Sequence, residues 1–383
     1  MEPAPQVIFK EIAMSRLLLA LSLVLALSSL TAAADKAPVG PPPATLEQVQ
    51  NHPDDVKLLR RFFNPGIGEI SSLIEEKKYD EAKKKAEELE AQLNSIKPDG
   101  DARGLHEQVV AYLKDIPDEV ALAQLSVADV EKALLESPDD TKALGNWMNK
   151  ALSELYTIAY SRPDEAEAKL TAVKAFAAKV AEAATSDRTK TRIEAMSGAR
   201  GVFTQLEKAI EKGREYAALV GKDAAPLTVK TWVNGTPLTA GDLQGKVVVL
   251  DFWAVWCGPC IATFPHLREW QEKYADKGLV IIGLTRYYDW DWDNDFGYAA
   301  KSADDVTADQ EQEMLKKFAA YYHLKHRFAI QEEGDSLDEY YGVNGIPHVV
   351  VLDKEGKVRM IRVGSGKQNA EDIDKLLAEL LQS

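Results

Sequence analysis

The 383-residue chain holds two cysteines, and both lie in one segment, Trp256-Cys257-Gly258-Pro259-Cys260. That segment directly follows Lys246-Val247-Val248-Val249-Leu250-Asp251-Phe252-Trp253. An apolar run broken by a single acid suits a central strand covered on both faces. Pro259 suits the first turn of a helix, where the N–H it lacks would have no partner. The thiols therefore stand where a buried strand gives way to a helix, an α/β arrangement. At that junction Cys257 faces unpaired N–H groups and the positive helix end, both of which favour a thiolate. Cys260 lies one turn deeper on the same side, placed to attack a mixed disulfide held on Cys257. Gly258 lets a substrate backbone come close.

Two thiols, both in one Cys-x-x-Cys, point to thiol–disulfide exchange. A purely structural bridge over so short a loop would constrain the unfolded chain little. Tetrahedral zinc takes four ligands and the pair supplies two. His266, His323, His326 and His348 follow no finger or ribbon spacing that would complete a set. No metal and no cofactor are expected beyond the redox-active disulfide Cys257–Cys260 itself.

Formal net charge is -15, which argues against a nucleic-acid partner, because phosphate binding needs a basic face. The N-terminus has the layout of a secretion signal: Met14-Ser15-Arg16, an uncharged Leu-rich stretch over 17–30, then Thr31-Ala32-Ala33-Ala34. The apolar run falls short of the roughly 20 residues that span a bilayer, so cleavage is the expectation and an uncleaved membrane anchor the alternative. The sequence thus predicts a signal peptide over 1–34, a Pro-rich linker over 35–45, and an exported, periplasmic or otherwise extracytoplasmic protein. Disulfides form readily in such compartments.

Residues 46–218 predict an all-helical domain. Ala, Glu, Lys and Leu dominate, and Leu73, Ile74, Tyr79, Ala82, Ala86, Leu89 and Leu93 recur at helical spacing. Pro53-Asp54, Pro117-Asp118, Pro138-Asp139 and Pro163-Asp164 read as helix starts, giving six or seven helices. Composition changes near Gly221, and residues 221–383 alternate strands with helices. Strands are expected over 227–233, 247–252, 279–284, 327–331, 348–352 and 358–363, with helices over 257–274, 310–322 and 370–381. An aromatic–acidic stretch, 287–298, reads as a packed insertion, or as a loop over the site that selects partners.

At this point the chain resembles the thioredoxin superfamily. Asp251-Phe252-Trp253-Ala254-Val255-Trp256-Cys257-Gly258-Pro259-Cys260 is similar to the family's active-site segment, and Tyr341-Gly342-Val343-Asn344-Gly345-Ile346-Pro347 to its cis-proline loop. The layout resembles the exported TlpA/ResA-like branch over residues 221–383, with a hairpin over 232–246 before the motif and an insertion between a central strand and helix. The resemblance implies a thioredoxin-like fold, a central mixed sheet flanked by helices, behind the helical domain. It implies Cys257 as attacking thiol, Cys260 as resolving thiol and Asp251 as the buried carboxylate that exchanges a proton with Cys260. It places Trp256, Gly258, Pro259, Ile346 and a cis Pro347 at the substrate, with the Ile346 backbone pairing with an extended segment. Two positions depart from the pattern. Thr263 stands where many relatives carry glutamate, and His348 follows the proline where thioredoxins usually carry threonine. His348 could face the thiols or point away.

The Gly-Pro pair between the cysteines resembles reducing thioredoxins, so the expected activity is reduction of disulfide-containing protein substrates, supplied by a membrane thiol-reductant donor. Cytochrome apoproteins are expected among the targets, as for some relatives. One competing reading is a thiol peroxidase, although the Pro and Thr that precede a peroxidatic cysteine are missing. Another is a partner-docking helical protein carrying a redox-sensing module.

Overall fold

The computed structural model describes residues 43–294, 297–302, 304–332 and 336–382. The predicted signal peptide and most of the linker lie outside the described residues.

Nine helices fill 46–219 among the described residues: α1 (Leu46–Asn51), α2 (Val56–Glu75), α3 (Tyr79–Asn94), α4 (Gly100–Gln124), α5 (Val127–Glu136), α6 (Thr141–Ile158), α7 (Pro163–Ala183), α8 (Asp187–Met196) and α9 (Val202–Leu219). That exceeds the six or seven expected, because several starts are marked by side-chain caps rather than proline. Thr45 and Ser126 each accept an N–H group of the turn they open. Pro117 is no start but sits inside α4. Leu113, Ile116 and Val120 are buried on either side of it, and that burial outweighs the lost hydrogen bond. The helices form two cores, one from α1–α4 around Leu59, Phe63 and Leu93, the other around Trp147, Phe176 and Leu206. Lys150 joins the two sets by donating to the carbonyls of Leu122 and Ala123 at the end of α4.

The C-terminal part is a six-stranded mixed sheet. Its elements are β1 (Thr231–Val233), α10 (Ala240–Leu243), β2 (Val247–Phe252), α11 (Gly258–Tyr274), β3 (Leu279–Thr285), β4 (Trp290–Asp293), β5 (Tyr298–Lys301), α12 (Ala308–Tyr321), β6 (Arg327–Ile330), α13 (Ser336–Tyr341), β7 (His348–Leu352), β8 (Val358–Val363) and α14 (Lys367–Gln382). The strand order is β1-β6-β3-β2-β7-β8, with β2, β3 and β6 parallel and β1, β7 and β8 antiparallel to their neighbours. All six residues of β2 are buried. The expected hairpin over 232–246 does not form. Asn234 donates its side-chain amide to the carbonyls of Leu324 and His326, so the end of β1 is tied beside β6 instead of folding back.

Alternation along β2 assigns the two faces. Val247, Val249 and Trp253 belong to a core with α11, α12 and α14; Val248, Leu250 and Phe252 belong to a second core with α13 and the end of α9. Opposite Asp251 on β3 lies Gly283, where a Cβ would stand 2.7 Å from the Trp253 indole nitrogen. A glycine there leaves the room that indole needs.

Candidate active site

Strand β2 ends at Phe252, and the chain turns through Trp253-Ala254-Val255-Trp256 into α11. Cys257 is the N-cap residue of that helix. Its Sγ accepts the Cys260 N–H at 3.1 Å, so the sulfur occupies the position a capping oxygen would take. Cys257 and Cys260 are joined in a disulfide. Cys257 is 4% exposed and Cys260 is fully buried. The outer cysteine is therefore the one a partner sulfur can reach. Pro259 occupies the first turn, Gly258 is exposed beside it, and Pro265 lies further along the helix. The Thr263 hydroxyl donates to the Cys260 carbonyl at 2.7 Å, a neutral contact where a glutamate was the pattern.

Asp251 shares the face of Val249 and Trp253, beneath the helix that carries the cysteines. Among the described residues neither carboxyl oxygen has a hydrogen-bond partner. Burial without compensation pushes its carboxyl up to about 7. A group that titrates there can hold or release a proton near neutral pH. Trp253 is a core aromatic, stacked on Phe318 at 5.3 Å and edge-on to Phe264.

β2 pairs with β7, with Phe252 opposite His348. The segment leaving β2 and the segment entering β7 therefore lie side by side. The second of these holds a cis peptide between Ile346 and Pro347. Pro347 is buried and Ile346 half-buried. The Pro347 carbonyl accepts the Gly364 N–H at 2.8 Å. No backbone hydrogen bond to the Ile346 N–H is present among the described residues. Trp256 is 51% exposed and meets the Tyr288 ring edge to face at 5.6 Å.

His348 points away from the thiols. It shares the Phe252 face, fully buried, edge-on to Phe252 at 5.5 Å and to Tyr216 of α9 at 5.3 Å. Burial first, and the Lys212 ammonium second, push its imidazole down to about 3. Neutral throughout the physiological range, it cannot tune the thiolate charge.

Sequence reasoning missed Glu311. This residue of α12 is 1% exposed, and its carboxylate accepts the N–H groups of Tyr288 and Asp289 at 2.6 and 3.0 Å. It fixes the loop that brings Tyr288 to Trp256. Nothing in the sequence sets it apart from its acidic neighbours Asp309 and Glu313. The aromatic–acidic stretch is largely a hairpin, β4 against β5, with Trp290 and Trp292 packed on the active-site core. Asp295 and Phe296 lie outside the described residues. Among the described residues no group of three or more His, Cys, Asp or Glu could hold a metal ion.

Residues 219–377 match the Redoxin family model. The chain is 32% identical over 181 residues to the thiol-disulfide oxidoreductase ResA of Bacillus thuringiensis subsp. konkukian, covering 47% of this chain and 84% of that relative. The chain is a ResA-like member of the thioredoxin superfamily. The thioredoxin-like protein YneN of Bacillus subtilis is 28% identical over 153 residues, 40% of this chain and 76% of its own length. A solved structure from Chlorobium tepidum, a thiol:disulfide interchange protein DsbE, is 26% identical and covers 42% of this chain and 97% of its own, with a TM-score of 0.33. The family model's match falls on the sheet-bearing part, so this ResA-like chain carries most of its helices outside that match.

Proposed function

We propose that the protein is exported and reduces disulfides in other proteins by dithiol exchange. One observation carries the reading: Cys257 caps α11, with the Cys260 N–H directed at its sulfur. In the reduced protein the Cys257 thiolate attacks one sulfur of a substrate disulfide. A mixed disulfide forms and one substrate thiolate leaves, taking a proton. Asp251 accepts the Cys260 proton. The Cys260 thiolate then attacks the Cys257 sulfur, the second substrate sulfur leaves as a thiolate and takes a proton, and the Cys257–Cys260 disulfide remains. Two electrons have passed to the substrate. The Ile346 backbone pairs with the extended substrate segment, while Trp256, Gly258 and Pro259 form the surface it crosses.

A membrane thiol carrier is the proposed electron source, which export requires. The export reading rests on residues 14–34; among the described residues no helix is long and apolar enough to cross a membrane. Equilibration with glutathione tests the direction of flow. A reductase should poise near about -270 mV, whereas about -120 mV would mark an oxidant and defeat the reading. Trapping with Cys260→Ala, which cannot resolve the mixed disulfide, identifies the substrates.

A further inference from the structure

Helix α9 belongs to two cores at once. Phe203, Leu206 and Ile210 lie in the second helical core, while Tyr216 lies under the sheet face that carries Phe252 and His348. The chain leaving α9 is laced to β8: Gly221 N–H donates to the Val358 carbonyl at 2.8 Å, and Val358 N–H to the Lys222 carbonyl at 2.9 Å. The end of α9 is thus fixed to the sheet, and the rest of it to the helices.

Tyr216 is 3% exposed, and its hydroxyl lies 3.0 Å from the Gly342 carbonyl and 3.1 Å from Asn344 Oδ1. One hydroxyl proton is donated and shared between the two oxygens. The same ring meets His348 edge-on at 5.3 Å, so one tyrosine touches the chain on both sides of Ile346-Pro347. Gly342 has φ of +64, and a Cβ there would stand 3.3 Å from the Tyr216 ring. α13 ties the start of this loop, through Gly342 N–H to Glu339 and Val343 N–H to Asp338. Tyr216 ties its middle. The helical region also reaches the other loop beside the site, where the Arg61 guanidinium of α2 lies 5.2 Å over the Tyr298 ring of β5.

We propose that Tyr216 is a positioning residue for the cis-proline loop, so that the added helical region sets how tightly the site accepts an extended protein segment. This rests on the reading that the Ile346 backbone docks substrate. A loop already held in its binding geometry loses less freedom when a strand pairs with it. A small disulfide, with no main chain to pair, gains nothing from that order.

The test uses the full chain, with insulin as protein disulfide and bis(hydroxyethyl) disulfide as the small one. Tyr216→Phe should lower the ratio of kcat/KM for insulin to that for the small disulfide about three- to tenfold, the scale of one hydrogen bond. The loss should lie in the insulin KM. Asn344→Ala, at an exposed position, should give a loss of the same kind, and the double variant little more than the larger single one. Asn344→Ala carries the test alone should Tyr216→Phe not fold. An insulin KM within twofold of wild type in both single variants, while Pro347→Ala raises it, overturns the role of Tyr216 and leaves the docking reading standing. An insulin KM untouched by Pro347→Ala as well overturns both. A loss confined to kcat with a lowered Tm makes Tyr216 merely structural and also overturns the proposal.

Discussion

Asp251 and His348 are neighbours across the β2–β7 ladder, on opposite faces of the sheet. Both are fully buried, and both lack hydrogen-bond partners among the described residues. Desolvation drives each toward its neutral form. For the acid this means a pKa raised to about 7, and for the base one lowered to about 3. The same physics makes one group titrate at working pH and silences the other. Asp251 lies under the helix that carries the thiols, and His348 lies under α9, sealed by Tyr216. On the proposed mechanism the proton chemistry belongs to one face, and on the proposed role of Tyr216 the other face fixes the loop.

The sharpest break between the faces is at the sulfur. Cys257→Ala should lower insulin reduction by more than about a hundredfold, measured against a chain with the same Tm. No substitution on the His348 face should approach that.

Asp251→Asn comes next. Resolution of the mixed disulfide should slow about a hundredfold and lose its inflection near pH 7, followed by stopped-flow fluorescence. Stability should move the opposite way. The native carboxyl keeps its proton to about pH 7 and the unfolded one loses it near 3.8. The stabilisation is therefore full below that lower value and is lost as the pH rises through 7. Above pH 7 the asparagine variant should exceed wild type by up to about 4 kcal/mol in urea unfolding, and by little at pH 4.

His348→Leu should show the mirror image. Native His348 stays neutral down to about pH 3, whereas the unfolded residue protonates near 6.5. Its stabilisation is full above 6.5 and is lost as the pH falls toward 3. At pH 4 the leucine variant should be more stable than wild type by about 3 kcal/mol, with the pH profile of turnover unmoved. A shifted profile would place this histidine in the thiol chemistry and erase the contrast.

Glu311→Gln should have the smallest effect. One acceptor becomes a donor facing a backbone N–H, at a cost of about 2 kcal/mol. Hydrogen exchange over residues 287–290 should quicken, and the Trp256 emission should shift as Tyr288 loosens.

Much of this was legible in the sequence wherever local chemistry and tertiary packing agree. The apolar run, broken only by Asp251, made β2 a buried centre, and the single thiol pair after it fixed the helix start. Strands β7 and β8 match their expected bounds because Lys354-Glu355-Gly356 punctuates them. The unread parts depend on contacts distant in sequence. The 227–233 strand shrinks to three residues because only Thr231–Val233 finds β6 to pair with. The orientation of His348 follows from register, which a lone sequence leaves open. The roles of Glu311 and Tyr216 come from partners 23 and 126 residues away. The division at residue 218 is likewise not a clean border, since α9 is built into both sides of it.

The most direct test of the central claim is the pH dependence of alkylation in the reduced protein, read residue by residue by mass spectrometry. One fast thiol is expected, Cys257, with a thiolate formed below the ordinary range of about 8.5, and a slow Cys260. Two thiols that react alike and sluggishly at neutral pH would contradict it.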